Sequence, residues 1–392
     1  MNVQQTGTTL LIRSALENKP YTLPEGFDFI QAAQEAVRHK IIALIYYGAV
    51  NCGIDKKSVA MQKLFRYLIA TINHSERQQF EIQNIFRIFD ENHIEYLPMK
   101  GTVLQKFYAS PEMRTMGDAD ILIRMNQYEQ IQPLMQSLGY DFFYESDHEF
   151  VWRKDKIDIE LHKRVMTSYN KDFFKYFGDG WSFAKKAADS ETRYEISDED
   201  FYIYMFVHFT KHYRISGIGI KHMIDFWVYR NTHPDLDESY IKERMELLQL
   251  WEFHGYVMQT LGVWFNDESA TTKTDYITEV IFTSGEYGLA DTAVAGQILR
   301  EAKSTGSIKS AKSKSLRRMI FLPYSQMKEK YRAVRALPIL LPIFWFIRLL
   351  NVALFKRGKV RNYISHMKKV DEDARKQEEA LNFVGLQFHT EE

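Results

Sequence analysis

The chain has 392 residues, 45% hydrophobic and 26% charged, a composition that suits folded domains and a length that suits about two or three of them. Lys plus Arg and Asp plus Glu are equal at 51 each, so the net charge is zero; a chain-wide polyanion-binding role is excluded and any charged partner surface must be local. A single cysteine, Cys52, excludes an internal disulfide and a cysteine-built zinc site and fits a reducing compartment.

The first residues hold only the apolar patch Leu10-Leu11-Ile12 before Arg13, which is not a secretory signal, so a cytoplasmic protein is expected. Residues 27–50 and 59–92 read as helices; in the second, Leu64, Leu68, Ile72, Phe80, Ile85 and Phe89 recur at helical spacing. Residues 94–99 form a short strand candidate, punctuated by Gly101, and 102–108 a short helix. A compact β-like run follows at 119–123. Asn126 then caps a helix to about Leu138, closed by Gly139.

Three strands are expected at 140–144, 149–153 and 156–162, joined by polar turns. This order predicts an α+β fold, a small mixed sheet with helices on one face. From Ser197 to about Leu289 the pattern is helical, opening on the acidic start Ser197-Asp198-Glu199-Asp200. Residues 303–316, rich in Lys and Ser, read as a flexible connector. The expected division is a helical region over 1–92, a core over 93–190, a helical domain over 191–300, and a basic and apolar helical region over 301–392.

The informative stretch runs from Lys100-Gly101-Thr102 through Arg114 to Gly117-Asp118-Ala119-Asp120 and the apolar Ile121-Leu122-Ile123. In a strand, Asp118 and Asp120 project to the same side. Two ionised carboxylates side by side repel, and a cation between them relieves the repulsion. Oxygen ligands with substrate phosphates select Mg²⁺ or Mn²⁺. A two-metal site needs a third acid. The alternation Ile157-Asp158-Ile159-Glu160-Leu161-His162 puts Asp158, Glu160 and His162 on one face, so Glu160 or Asp158 completes the set if this strand pairs beside the first. Gly101 lets a backbone approach phosphate closely. Thr102 adds a hydroxyl, and Lys100 or Arg114 offsets charge as phosphate leaves.

In this order, the pieces LPMKGTVLQKFY (97–108), MRTMGDADILI (113–123), QSLGY (136–140), DIELHKR (158–164), HFTKHY (208–213) and MIDFWVYR (223–230) resemble the uncharacterised nucleotidyltransferase family of bacteria, within the DNA polymerase beta-like superfamily. The resemblance implies a palm-like core with Asp118, Asp120 and Glu160 as metal ligands and catalytic residues. The wider superfamily's Gly-Ser turn is here Lys100-Gly101-Thr102, as in this family. The same layout is similar to abortive-infection nucleotidyltransferase toxins, so RNA, protein and small molecules all stand as acceptors.

His208 and His212 lie four apart on a helix, spacing that can chelate zinc, but no Glu follows His208 as the zinc-protease pattern requires. The resemblance instead implies a place near the cleft, with His212 contacting phosphate or acceptor. His162 reads equally as a partner of the metal ligands and as a structural residue. Asp225 is expected to pair with a helix cation and not to be catalytic.

Between Lys303 and Arg335 there are ten Lys or Arg against one acid, Glu329. The apolar run 337–355 follows, interrupted by Arg348 and two prolines, then Lys356, Arg357 and Lys359. Three readings are open: a helix packed on the helical domain, an interfacial anchor with 303–359 on anionic lipid, and a true span. The charged residues beyond Lys369 read as a solvated helix or tail.

The whole pattern predicts an enzyme that moves a nucleoside monophosphate from a nucleoside triphosphate to an acceptor hydroxyl and releases pyrophosphate. A glycosyltransferase that grips a nucleotide-sugar through its DxD is one alternative, although residues 27–92 supply no large nucleotide-binding domain. A non-catalytic, membrane-associated scaffold is the other, although all three carboxylates are present.

Overall fold

The computed structural model describes residues 1–168, 170–286, 288, 290–305, 307–322, 324, 327, 331–355 and 372–388. By its contacts the chain divides into two compact units, Met1–Tyr213 with Gly217–Tyr287, and Arg214–Ser216 with Gly288–Thr390.

The first unit opens with four helices, α1 (Val3–Glu17), α2 (Phe29–Arg38), α3 (Ile42–Asn51) and α4 (Val59–Glu91). The single helix expected over 27–50 is therefore two. Lys40 takes a left-handed φ of 55°, and Ile41 N–H bonds back to Ala36 O, a helix-terminating pattern that turns the chain. Helix α1 was not foreseen. Its Asn2–Gln5 capping box starts it, and its packing on α3 is so close that a Cβ on Gly48 would lie 1.9 Å from Leu11 O.

Strand β1 (Tyr96–Pro98), the four-residue helix α5 (Gly101–Leu104), strand β2 (Asp118–Ile123) and helix α6 (Tyr128–Ser137) follow. Strands β3 (Asp141–Glu145), β4 (Glu149–Lys154) and β5 (Ile157–His162) complete a mixed sheet of order β1-β2-β5-β4-β3. Strand β2 pairs antiparallel with β1 and parallel with β5. The α+β architecture expected from the sequence is present.

Period-two alternation sorts these strands cleanly. Ala119, Ile121 and Ile123 of β2, with Ile157, Ile159 and Leu161 of β5, join a core with Ile82, Ile85 and Phe89 of α4 and Ile131 and Met135 of α6. Burying this apolar face forces the alternate residues, Asp118, Asp120, Glu160 and His162, onto the opposite face. A one-residue slip would exchange the two sets, so the hydrophobic pattern itself fixes where the acids point.

Helix α7 (Lys171–Phe177) and the hairpin β6 (Ala184–Lys186)–β7 (Tyr194–Ile196) lead to the helical part. Five helices follow in this unit: α8 (Asp198–Tyr213), α9 (Ile220–Thr232), α10 (Glu238–Leu247), α11 (Trp251–Phe265) and α12 (Thr272–Ser284). Ser197 caps α8 by accepting the Asp200 N–H at 3.2 Å, as the acidic start suggested.

The second unit corrects the expectation of a connector. Residues 303–305 lie in α13 (Ala290–Thr305) and 308–316 in α14 (Ile308–Ile320), the latter capped by Ser307. The short α15 (Arg332–Ala336) precedes α16 (Leu341–Phe355), which carries most of the apolar run. Ile339, Ile343, Phe346 and Leu350 are exposed, and among the described residues no helix is long and apolar enough to cross a membrane. Lys356, Arg357 and Lys359 lie outside the described residues. In the charged tail, 372–383 is helical, and it buries Ala374 and Leu381, so that segment is not wholly solvated.

Candidate active site

The β2–β5 register sets Asp118 beside Asp158 and Asp120 beside Glu160. Asp158 is claimed by Arg153, whose Nε and Nη2 each reach a carboxylate oxygen at 2.6 Å. Glu160 is thus the third acid that joins the pair. These acids open on a cavity of about 310 Å³, whose walls include Lys100, Gly101, Arg114 and His212. Of the residues expected at the site, only Thr102 lies elsewhere. Its hydroxyl donates to Met99 O, and it faces a second cavity of about 730 Å³.

Burial strains this cluster electrostatically. It raises the Asp118 pKa, and the charge on Asp120 raises it further. Glu160 is pushed up to about 7, first by burial and then by the negative charges of Asp118 and Asp120. Asp120 goes the other way. The Lys100 ammonium and the His162 hydrogen bond outweigh its burial and hold it well below the usual carboxylate range.

Lys100 bonds directly to Asp120 Oδ1, and His162 Nε2 meets the same oxygen at 2.7 Å. His162 also lies 3.4 Å from Glu160 Oε2. Burial alone would discharge this imidazole, but the bonds to Asp120 and Glu160 hold its pKa up at about 9. Of the two readings open for His162, partner to the acids is the one found. Asp120, Glu160 and His162 present ligand atoms close enough to hold one metal ion, and so do His148, Glu149 and His162.

The turn before α5 is held by unusual backbone. Lys100 has φ 45° and ψ −118°, a region costly for a side chain with a Cβ. Gly101 is packed so closely that a Cβ there would come within 2.6 Å of the Met116 side chain and 3.3 Å of Arg114 Nη1.

Helices α8 and α9 supply the far wall. Arg114 is buried, and Asp225 of α9 grips it with both oxygens, at 2.8 Å to Nε and 2.9 Å to Nη2. Tyr108 donates to the same Asp225 at 2.8 Å, and Arg114 Nη1 donates to Thr115 O. Asp225 does pair with a cation, as the sequence suggested, but the cation is Arg114 of the strand-bearing half rather than one on a helix. Lys221, on the same helix, pairs with Glu286 at 2.6 Å.

His208 and His212 on α8 sit with their Nε2 atoms 3.2 Å apart. Burial, then the nearby Lys211 charge, depresses both well below the ordinary histidine value, so both are neutral at pH 7. Among the described residues no third His, Cys, Asp or Glu joins them within metal-binding reach, so the zinc reading gains nothing.

Lys211 between them is the residue that sequence reasoning passed over. It lines the cavity, and burial, then the charge on Lys100, lowers its pKa to about 8. Its position in HFTKHY, between two cleft histidines, was the available signal.

The model of a family described as uncharacterised nucleotidyltransferase matches residues 25–266 of this chain. No curated protein sequence matches it significantly. Among solved structures, the chain is similar to the antibiotic-resistance factor ANT(2'')-Ia, solved in solution, at 14% identity over 47% of this chain and 95% of that one. Its TM-score of 0.33 is too low to carry an argument.

Proposed function

The chain belongs to the uncharacterised nucleotidyltransferase family and is a transferase of the nucleotidyl type; from that premise, we propose that Asp118, Asp120 and Glu160 form its catalytic centre. Membership favours this reading over the nucleotide-sugar alternative, and the presence of all three acids at one cavity favours it over a non-catalytic scaffold. One observation carries the reading: the parallel β2–β5 register brings these three acids to one cavity together with Lys100, Gly101, Arg114 and His212.

The donor set suits divalent metal. Three acidic side chains crowd one pocket, and two of them, Asp118 and Glu160, are pushed toward the protonated state by burial and mutual repulsion. A hard cation removes that repulsion, and all-oxygen ligands favour Mg²⁺ or Mn²⁺. Asp118 and Asp120 would hold the metal shared with the triphosphate, and Glu160 the metal nearer the acceptor. When bound, such ions polarise the phosphoryl oxygens and neutralise charge on the attacking and leaving oxygens.

The reaction is balanced by the residues present. A new bond forms between the acceptor oxygen and the α-phosphorus, the bond from that phosphorus to the bridging oxygen breaks, and pyrophosphate leaves with the electron pair. The acceptor's proton goes to Glu160, a carboxylate that burial and its acidic neighbours make a better proton acceptor than an ordinary one. Lys100 lines the same cavity and would turn from Asp120 to phosphate if a metal took that carboxylate. Gly101 leaves room for the phosphate chain, and His212 contributes a neutral donor.

The test is to incubate the protein with each labelled nucleoside triphosphate, Mg²⁺ and a cell lysate, and to identify which molecule carries label. A melting scan with Mg²⁺ and each triphosphate is the direct check on binding. A ligand at a hundred times its Kd stabilises the folded state by about 2.7 kcal/mol. No labelled product and no shift with any of the four nucleotides would remove this reading.

A further inference from the structure

Four cationic side chains line the cavity: Lys100, Arg114, Lys211 and Lys221. Three of them have their own carboxylate, Asp120 for Lys100, Asp225 for Arg114 and Glu286 for Lys221. Lys211 has none. Among the described residues its ammonium makes neither an ion pair nor a hydrogen bond, and it stands half-buried in the cavity wall. A half-buried charge without a close partner has lost part of its hydration, and an anion that enters the cavity can replace it.

The neighbours narrow the class of anion. His208, His212 and His222 surround the same part of the wall, and all three are held neutral by burial and nearby lysines. His222 Nδ1 is buried without a hydrogen-bond partner. Neutral imidazoles offer N–H groups to phosphate oxygens without adding charge. One ammonium flanked by neutral donors, across the cavity from metal-binding acids, suits a multiply charged phosphate chain better than a single carboxylate.

We propose that Lys211 is the counter-charge for the pyrophosphoryl part of the bound triphosphate and for the pyrophosphate that leaves. The assignment rests on the nucleotidyl-transfer reading and gives its leaving group a site. During the reaction the Lys211 Nζ gains and loses no covalent bond. It remains an ammonium while negative charge builds on the bridging oxygen that parts from the α-phosphorus. Lys211 therefore acts on the leaving side, and Glu160 receives the proton on the attacking side.

Calorimetric titration with magnesium pyrophosphate, on the full chain and on Lys211→Met and Lys211→Arg, tests this. Losing one charge-assisted contact should weaken binding by about ten- to a hundredfold in Lys211→Met, and Lys211→Arg should recover most of it. Melting without ligand separates a binding role from a structural one. Methionine removes an unpartnered charge, so ligand-free Lys211→Met should melt at or above the wild-type temperature. Equal affinity in wild type and Lys211→Met overturns the assignment while nucleotidyl transfer stands. A Lys211→Met protein that melts lower than wild type, with unchanged affinity in its folded fraction, overturns it too. If Lys211→Met is insoluble, Lys211→Gln takes its place under the same criteria. Wild type that binds neither magnesium pyrophosphate nor any triphosphate removes the underlying reading itself.

Discussion

Asp225 holds Arg114 through both of its oxygens, at 2.8 and 2.9 Å, across 111 residues of sequence. Both side chains are almost fully buried. This pair ties the α8–α9 half of the first unit to the strand-bearing half, and it aims a guanidinium at the wall of the cavity. Removing one partner of such a pair leaves the other charged and desolvated, at a cost of about 3–5 kcal/mol. Asp225→Ala should lose about that much in urea unfolding and should also lose transfer activity as Arg114 moves. The double variant Arg114→Met/Asp225→Leu should regain most of the stability and none of the activity. Regained activity in the double variant would show that the pair only holds the fold together.

Lys100 offers a separation of charge from backbone. Its φ of 45° is a conformation that glycine adopts freely and that costs other residues about 1–3 kcal/mol. Lys100→Ala and Lys100→Gly both remove the ammonium from Asp120, but only the glycine also relaxes the turn. Lys100→Gly should therefore be the more stable of the two by about 1 kcal/mol, with both equally poor in transfer. Equal stability by urea unfolding would mean that the turn carries no strain.

Much of this site was visible in the sequence, because it rests on short-range rules. The alternation of 157–162 and the DxD followed by Ile121-Leu122-Ile123 fix which side of a strand each acid faces. The same core that buries Ile121 and Ile159 turns Asp120 and Glu160 to the opposite face of the sheet. The choice between Asp158 and Glu160 was not legible, since it depends on Arg153 across the β4–β5 pairing. Thr102 shows the same limit. Its neighbours Lys100 and Gly101 face the acids, but one more residue of helical turn carries it round to the second cavity. The partners on α8 and α9 come from long-range packing that no local pattern encodes. At residues 303–316, a Lys- and Ser-rich composition suggested a loop. A Ser307 cap and the packing of Ile298, Ala302 and Ala311 make helices there instead.

Gly101 can be tested through its neighbour. A Cβ at this position meets Met116 Cγ and Sδ at 2.6 Å, too close for real contact, and Met116 is itself buried. Gly101→Ala should cost about 1–3 kcal/mol by overpacking and should raise the KM for triphosphate as the turn shifts. Adding Met116→Ala should return the stability by making room. If the KM stays high in that double variant, the lost approach of phosphate to the backbone is the cause. If it returns to the wild-type value, Gly101 serves packing alone.

The last prediction concerns pH. Glu160 has a pKa near 7 and Asp118 is also raised, both first from burial and then from the charge of neighbouring acids. A divalent metal takes only the ionised carboxylates, so it must displace whatever proton the pair holds. Below pH 7 Glu160 is largely protonated and the metal competes with that proton; above pH 7 the carboxylate is free. Metal affinity should therefore rise with pH, by up to about tenfold per unit below 7, and level off above it. Mg²⁺ titrations at pH 6 and pH 8, each in two buffers of different ionisation enthalpy, measure both the affinity and the protons released. Proton release should be larger at pH 6 than at pH 8. In Glu160→Gln the pH dependence between 6 and 8 should flatten, because the group that titrates there is gone. A steep dependence that survives in Glu160→Gln would assign the proton to Asp118, and an affinity that falls as pH rises would contradict the carboxylate site altogether.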